Sequence, residues 1–457
     1  MVGGPLGRYA SARAVTAWQP VAVVLLALGS LAMAGAVLQK AHCLRVGWST
    51  PDQFWHACYS DLPVLYRSSG LIDGVLPFAQ GDGARPLGQP VLASGAMWLV
   101  GSVVPDGSVL ARTQWYFGLW AAVLTAVLAV AVVAVVRLAR RDRWSAAHLA
   151  ISPVLVTTGL VSVDLLAVML CCLGLWAWGR QRVVLAGLLM GLAVATRSYP
   201  LVVLVALGLL CLRAGAVWAW ARLMAWAVAG FAVVVVPVAV SWPDAALAPY
   251  AAWWRAGAGY GSPWLVPQLL SQLRAVPLVP QLSWMRLPGF LAEPIPDGAV
   301  GALAVTGWVL ALAVGAVLAL SSARRPTVAE LSLVMLVVVV VTGKAAPVQA
   351  ALWLLPFVAL TAQRWGDHLV WAGAEIVSFL AVWLYIAGLT NADRGLPPHV
   401  YAMLLSVRLG TLVYLAVLTW QRARRRPVVG GEEQAEELDD AAGPLAGQPD
   451  RLLVRFT

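Results

Sequence analysis

A few charges in this sequence stand isolated in long apolar stretches, and isolation of that kind has chemical consequences. Asp164 lies in GLVSVDLLAVML, with apolar neighbours for many residues on both sides. A carboxylate in the middle of a lipid-facing helix costs roughly 2.5 to 3.5 kcal/mol on insertion scales, so Asp164 must face a cavity, a partner or a surface. It reads either as half of a structural ion pair or as part of a substrate or ion site. Arg197, in ATRSYPLV, and Lys344, in VTGKAAPVQAALWLLP, are the matching lone cations. Each alone is explained by snorkelling to an interface. Taken with the carboxylates at one level, they could bind an anionic group, a phosphate above all, and move a proton.

A second carboxylate, Asp61, sits in HCLRVGWSTPDQFWHACYSDLPVLYRSSG, before a helix-like segment that ends at Tyr66 and Arg67. Preceding Leu62-Pro63, it has the position of an ordinary helix cap. Beside a membrane cavity it could instead act as a general base, partial burial keeping it basic enough to accept a hydroxyl proton. Asp52 and Asp73 in the same loop compete for that role, among more ordinary turn residues. Further along, APYAAWWRAGAGYGSPWLVPQ sets Arg255, Tyr260, Ser262 and Trp264 among glycines that free the backbone to fold over a site. Its aromatics suit either an interfacial belt or stacking against a sugar.

Cys43 and Cys58 could form a disulfide, whereas Cys171, Cys172 and Cys211 fall in apolar blocks and read as small core residues. His42 and His56 flank the first pair without any familiar zinc spacing, so no metal ligand set is assigned. No cofactor is required by the sequence, although a divalent metal is compatible with it.

The elements that must hold these groups are membrane helices. Of the 457 residues, 61% are apolar and 11% charged, and the apolar ones run in blocks of helix-spanning length. A helix satisfies its own backbone in hydrocarbon, and the blocks lack the alternation of a barrel strand. The net charge of +10 does not point to nucleic acid, because the arginines sit in short clusters between blocks. Placed in the cytoplasm, the clusters at Arg8/Arg13, Arg137/Arg140/Arg141/Arg143, Arg180/Arg182, Arg213/Arg222, Arg324/Arg325, Arg364 and Arg422/Arg424/Arg425/Arg426 define out-and-back excursions.

That pattern predicts about twelve spans, near 17–39, 115–137, 148–163, 165–178, 183–196, 199–213, 223–241, 299–320, 328–343, 347–363, 369–388 and 400–420. Both termini are then cytoplasmic, and the first block is too long for a signal-peptide core. Long outer loops cover 40–114 and 242–298, with 88–104 as a re-entrant or interfacial helix. Tight corners at Asp164 and Arg197 suggest helices that stop below the surface around a cavity. Residues 1–426 make one transmembrane domain. The tail 427–457, rich in Glu and Asp between 432 and 440, is expected to be disordered and solvated. No phosphate-loop or dinucleotide fingerprint occurs in the inner loops.

With these residues in view, the chain resembles glycosyltransferase family 87, polytopic mannosyltransferase-like proteins of actinobacterial envelopes with the GT-C fold. The likeness rests on ACYSDLPVLYRSSG, VDLLAV at Asp164, RSYPL at Arg197, GAGYGSPW, KAAPVQAALWLLP after Lys344 and EIVSFLAVWLYIAG, in that order. It implies an all-α, GT-C-type bundle in the plasma membrane that transfers a hexose, typically mannose, from a polyprenyl-phosphate donor to an envelope glycolipid or polysaccharide. The resemblance makes Asp61 the base of an inverting reaction. Arg197, Lys344 and Arg255 are then expected to hold the leaving phosphate, and Asp164, Tyr66, Tyr199, Gln349, Tyr260 and Trp264 to line the pocket.

The sequence departs from the family pattern at Gln89-Pro90, where an aromatic usually precedes proline, and at Arg197, where lysine is common. Pro347-Val348-Gln349-Ala350 and Gly259 differ too. A catalytically weakened scaffold is therefore one alternative. A secondary transporter or lipid flippase is another, though no internal repeat supports it.

Overall fold

The computed structural model describes residues 18–79, 87–140, 142–271, 288, 293–391, 394–424 and 441–454, and among them every regular element is helical. Arg8, Arg13, Arg141, Arg425, Arg426 and the acidic run 432–440 lie outside the described residues.

The chain opens with α1 (Trp18–Gln39) and enters a compact loop of short helices, α2 (Ala41–Val46), α3 (Asp52–Trp55) and α4 (Asp61–Ser68). After α5 (Val91–Gly101) the long α6 (Val109–Leu138) returns. Next come α7 (Ala147–Ala150), α8 (Pro153–Thr158), α9 (Asp164–Gly179), α10 (Val183–Thr196), α11 (Pro200–Ala214) and α12 (Val217–Ser241). The second long loop carries α13 (Pro243–Arg255) and α14 (Val266–Leu270). The last helices are α15 (Asp297–Ser321), α16 (Val328–Val341), α17 (Ala350–Leu360), α18 (Trp365–Thr390) and α19 (Pro398–Arg424).

Six of these helices, α1, α6, α12, α15, α18 and α19, are long and apolar enough to cross a membrane. Four more, α9, α10, α11 and α16, run only 14 to 16 residues and α17 only 11. At 1.5 Å per residue such helices rise about 15 to 25 Å, less than a full hydrocarbon core. The block expected as one span at 148–163 is not a single helix. Ser152-Pro153 breaks it into α7 and α8, because proline donates no hydrogen bond and disfavours helical geometry in the residue before it. Residues 88–104 do form a short helix, α5, packed on α10 and α12.

Burial follows from where each helix sits. Along α16 the residues from Val328 to Val337 are all buried, which makes it a central post between α11, α15, α17 and α19. Its start is fixed by a reciprocal cap in which Glu330 N–H donates to the Thr327 hydroxyl and Thr327 N–H donates to the Glu330 carboxylate. By contrast α1, α12 and α15 leave Leu31, Val233, Val240 and Val309 exposed, as lipid-facing helices do. The tightest helix pair is α10 with α12. Gly187 and Gly191 are spaced as in GxxxG, and a Cβ at Gly191 would lie 2.0 Å from the Ala227 carbonyl oxygen. Without solvent to drive apolar helices together, such small residues let backbones approach and gain dispersion contacts.

Polar groups gather at the two ends of the bundle. At one end Arg213, completely buried, donates to the carbonyls of Ala319 and Arg324 and to Asp450 at 2.6 Å. Arg324 pairs with Glu330, and Arg325 pairs with Asp450 at 2.7 Å. The Arg213 and Arg324/Arg325 clusters, on separate connections, therefore share one end of the molecule.

The stretch from Ala441 to Val454 departs from the expected solvated tail. Trp178 Nε1 donates to the Ala442 carbonyl at 3.1 Å, Leu445 is buried, and Val454 N–H donates to Leu320 O. The expectation rested on the acidic run that precedes this stretch. From Ala441 onward the chain is mostly small and apolar and carries a single carboxylate, Asp450, placed between Arg213 and Arg325.

Candidate active site

At the other end, Asp61 begins α4. The cap is Ser60 rather than Asp61: its backbone is extended, and its Oγ accepts from Leu62 N–H. The serine hydroxyl is small enough to turn back on its own helix, which leaves the Asp61 carboxylate for another partner. Ser60 Oγ also donates to Leu160 O at 2.7 Å, and Asp61 N–H donates to Val161 O at 2.7 Å. The first loop is thus tied to the corner between α8 and α9.

Asp61 is partly buried, and Tyr59 donates its hydroxyl to Oδ1 at 2.8 Å. The Tyr59 ring lies 4.6 Å from that of Trp383 on α18 and 5.5 Å from Phe54. Burial pushes the Asp61 carboxyl above the usual carboxylate range and Asp164 adds to this, while the Tyr59 hydroxyl, Arg197 and Lys40 pull it back. Burial beside Asp61 also pushes the Tyr59 phenol up, so it stays a neutral donor. Lys40, at the end of α1, is fully buried, donates to Thr157 O at 3.4 Å and lies 4.9 Å over the Phe379 ring.

The corner that anchors Asp61 also carries Asp164, which is fully buried at the first turn of α9. Oδ1 accepts from Arg197 Nε and from the Ser162 hydroxyl, both at 2.7 Å, and Oδ2 accepts from Trp353 Nε1 at 2.8 Å. Tyr199 is buried with its ring stacked on Trp353 at 5.2 Å. Arg197 spends its Nε on Asp164. Its side chain remains 18% exposed, and its terminal nitrogens form no hydrogen bond among the described residues.

Asp61, Asp164, Arg197 and Tyr199 therefore share one neighbourhood. Tyr66 does not join it: its ring is buried against Tyr116 at 4.1 Å. Five residues beyond Asp61 on one helix, it is carried round to the face that packs on α6. Lys344 is engaged elsewhere too. Its buried Nζ donates to the carbonyls of Trp253 and Trp254 at 3.0 and 3.1 Å, closing the C-terminal end of α13, with Arg255 exposed next to them. Lys344, on the connection between α16 and α17, and Arg255, on the second long loop, thus form a second cationic locus.

That loop is pinned to the same end of the bundle. Trp264 Nε1 donates to Thr342 O and Ser262 Oγ to Gly343 O, while the Tyr260 carbonyl accepts from the Tyr401 hydroxyl at 2.6 Å. A side chain at Gly261 would strike the Ala346 carbonyl oxygen, 2.0 Å from its Cβ. Gln349 precedes α17, partly buried. One apolar cluster joins Ala57 of the first loop, Val161 of the corner, Leu265 of the second loop, Val348, Trp383 and Tyr401. Both long loops and the corner are therefore packed together over the ends of the helices.

Sequence reasoning missed Lys40, Tyr59, Ser162 and Trp353. Lys40 follows directly on an apolar block and looks like an interfacial anchor, and Trp353 looks like any lipid-facing aromatic. Only the SxD spacing of Ser162 and Asp164 carried a local signal.

No curated protein matches the chain significantly. A protein-family model, that of glycosyltransferase family 87, matches residues 107–343, taking in Asp164, Arg197, Tyr199, Arg255, Tyr260 and Trp264 and stopping just short of Lys344. Asp61 lies before the matched stretch and reaches it through the hydrogen bonds at Val161 and Leu160. Matched over more than half its length, this helical membrane chain belongs to glycosyltransferase family 87.

Proposed function

We propose that the protein transfers a hexose, most simply mannose, from a polyprenyl-phosphate sugar to an envelope glycolipid or polysaccharide, with Asp61 as general base. The observation that carries this reading is the joining of a partly buried carboxylate to a cation-bearing corner. Asp61, held by Tyr59 and Val161, stands beside Arg197, whose terminal nitrogens are uncommitted.

In the reaction the acceptor hydroxyl gives its proton to Asp61 as its oxygen forms a bond to the anomeric carbon. On the opposite side the bond from that carbon to the phosphate oxygen breaks, and the polyprenyl phosphate leaves with the electron pair. One displacement inverts the anomeric centre. Arg197 faces the charge that grows on the phosphate, and its tie to Asp164 fixes the direction of the guanidinium. Lys344, on the connection between α16 and α17, and Arg255, on the second loop, would add a second cationic locus for the donor's phosphate. The same reading takes the chain as a GT-C bundle of about twelve spans in the plasma membrane. The arginine-rich end and both termini are cytoplasmic, and the Asp61 end faces outward, following the basic-loop rule.

The test is to supply purified protein with polyprenyl-phosphate mannose and candidate glycolipid acceptors and compare it with Asp61→Asn. Loss of a general base lowers turnover by about 10²- to 10⁴-fold. Product formation unaffected by the change removes Asp61 as base. Movement of a solute or lipid across the bilayer without sugar transfer favours a transporter or flippase.

A further inference from the structure

The first long loop carries a second group of convergent side chains, separate from Asp61. His42 on α2, Asp52 at the start of α3 and His56 just after it bring their donor atoms within 4.8 Å of one another. His42 Nε2 lies 2.7 Å from Asp52 Oδ2, and His56 Nδ1 lies 3.2 Å from Oδ1 and 3.1 Å from the Asp52 carbonyl oxygen. The two imidazole rings stack face to face at 3.5 Å. Both rings point a nitrogen at the same carboxylate.

We propose that His42, Asp52 and His56 bind a divalent transition-metal ion of the zinc class. Two imidazoles and a carboxylate are the donor set such ions take, with water completing the shell. At metal–ligand bonds of about 2.0 to 2.2 Å, tetrahedral ligand atoms stand about 3.3 to 3.6 Å apart; both histidine–Asp52 pairs would open by less than an ångström to reach this, and any pair standing wider, up to 4.8 Å, would close to it. Side-chain exposures of 31%, 32% and 45% leave an aqueous ion a way in. The scaffold is built for such a site. The Cys43–Cys58 disulfide joins the residue after His42 to the second residue after His56 and holds their Cα atoms 5.8 Å apart. The ion would brace the loop just before Tyr59 and Asp61.

The protein, purified through a tag without histidines and stripped by chelator, is titrated with Zn²⁺ against a chromophoric competitor. One ion per chain is expected, with affinity weakened at least about tenfold in His42→Ala and again in His42→Ala/His56→Ala. Affinity within twofold of wild type in the double variant, or no binding by wild type, overturns the proposal. X-ray absorption on the zinc-loaded wild-type protein gives a readout that needs no variant. A first shell with two imidazole nitrogens supports the site, and a shell without imidazole refutes it.

Discussion

The Asp164–Arg197 pair can be tested on stability alone. Asp164 accepts three hydrogen bonds with no solvent exposure, from Arg197 Nε and Ser162 Oγ on one oxygen and from Trp353 Nε1 on the other. Asp164→Asn keeps the shape but turns one oxygen into an NH₂. Whichever way the amide sits, that NH₂ faces a donor, either the Arg197 guanidinium or the Trp353 indole. An unsatisfied buried donor costs about 1 to 3 kcal/mol, and the orphaned guanidinium brings the total toward the 3 to 5 kcal/mol typical of broken buried pairs. The lower part of that range is expected, since Arg197 reaches some solvent. Arg197→Gln alone leaves the carboxylate without its cation and costs a similar amount. In the double variant neither charge remains, so it should be more stable than the summed single effects by about 2 kcal/mol. Unfolding in mixed detergent micelles, followed by tryptophan fluorescence, measures all four proteins. Additivity within about 0.5 kcal/mol would refute the claim that the two side chains are energetically coupled.

Three further outcomes follow from other contacts. As a base Asp61 works when deprotonated, so turnover should fall as pH drops through its raised pKa. The acid limb should lie above that of an ordinary aspartate, and Tyr59→Phe, which removes a hydrogen bond that lowers this pKa, should move it higher still. A limb that moves down instead contradicts the assignment. Gly191→Leu should destabilise the α10–α12 pair by about 1 to 3 kcal/mol or more, because the Ala227 carbonyl occupies the space, and thermal unfolding will show it. Asp450→Asn should free the docked segment, since it removes the counter-charge of Arg213 and Arg325. Limited proteolysis should then cut between Ala441 and Val454 faster than in wild type, with an equal rate counting against docking.

Much of this was legible in the sequence because membrane insertion depends on local composition. Apolar blocks gave α1, α6 and α12 within about six residues, and two of the arginine clusters, Arg213 and Arg324/Arg325, meet at one end as expected. The break at Ser152-Pro153 went unread, because the residues around it form a continuous apolar block. Asp164 and Arg197 stood out by isolation and were expected at one level, but their pairing across 33 positions shows only in the fold. Lys40 and Trp353 were opaque because each has a cheap interfacial explanation, and only the fold reveals what they touch. Tyr66 went wrong for a helical reason: a position five residues past Asp61 turns away from it. The His42, Asp52 and His56 group has no recognisable spacing, since the chain bends between α2 and α3 before the side chains meet.

The Arg213 network also sets an order of assembly. Its side-chain partners, the Ala319 and Arg324 carbonyls and the Asp450 carboxylate, all lie more than a hundred residues later in the chain. During synthesis Arg213 reaches the membrane long before any of them exists and must remain hydrated at the interface while α12 to α19 are inserted. Asp450 is made after every long helix, so the network can close only around a completed bundle. A chain stalled or truncated before that point would leave Arg213 without its counter-charge.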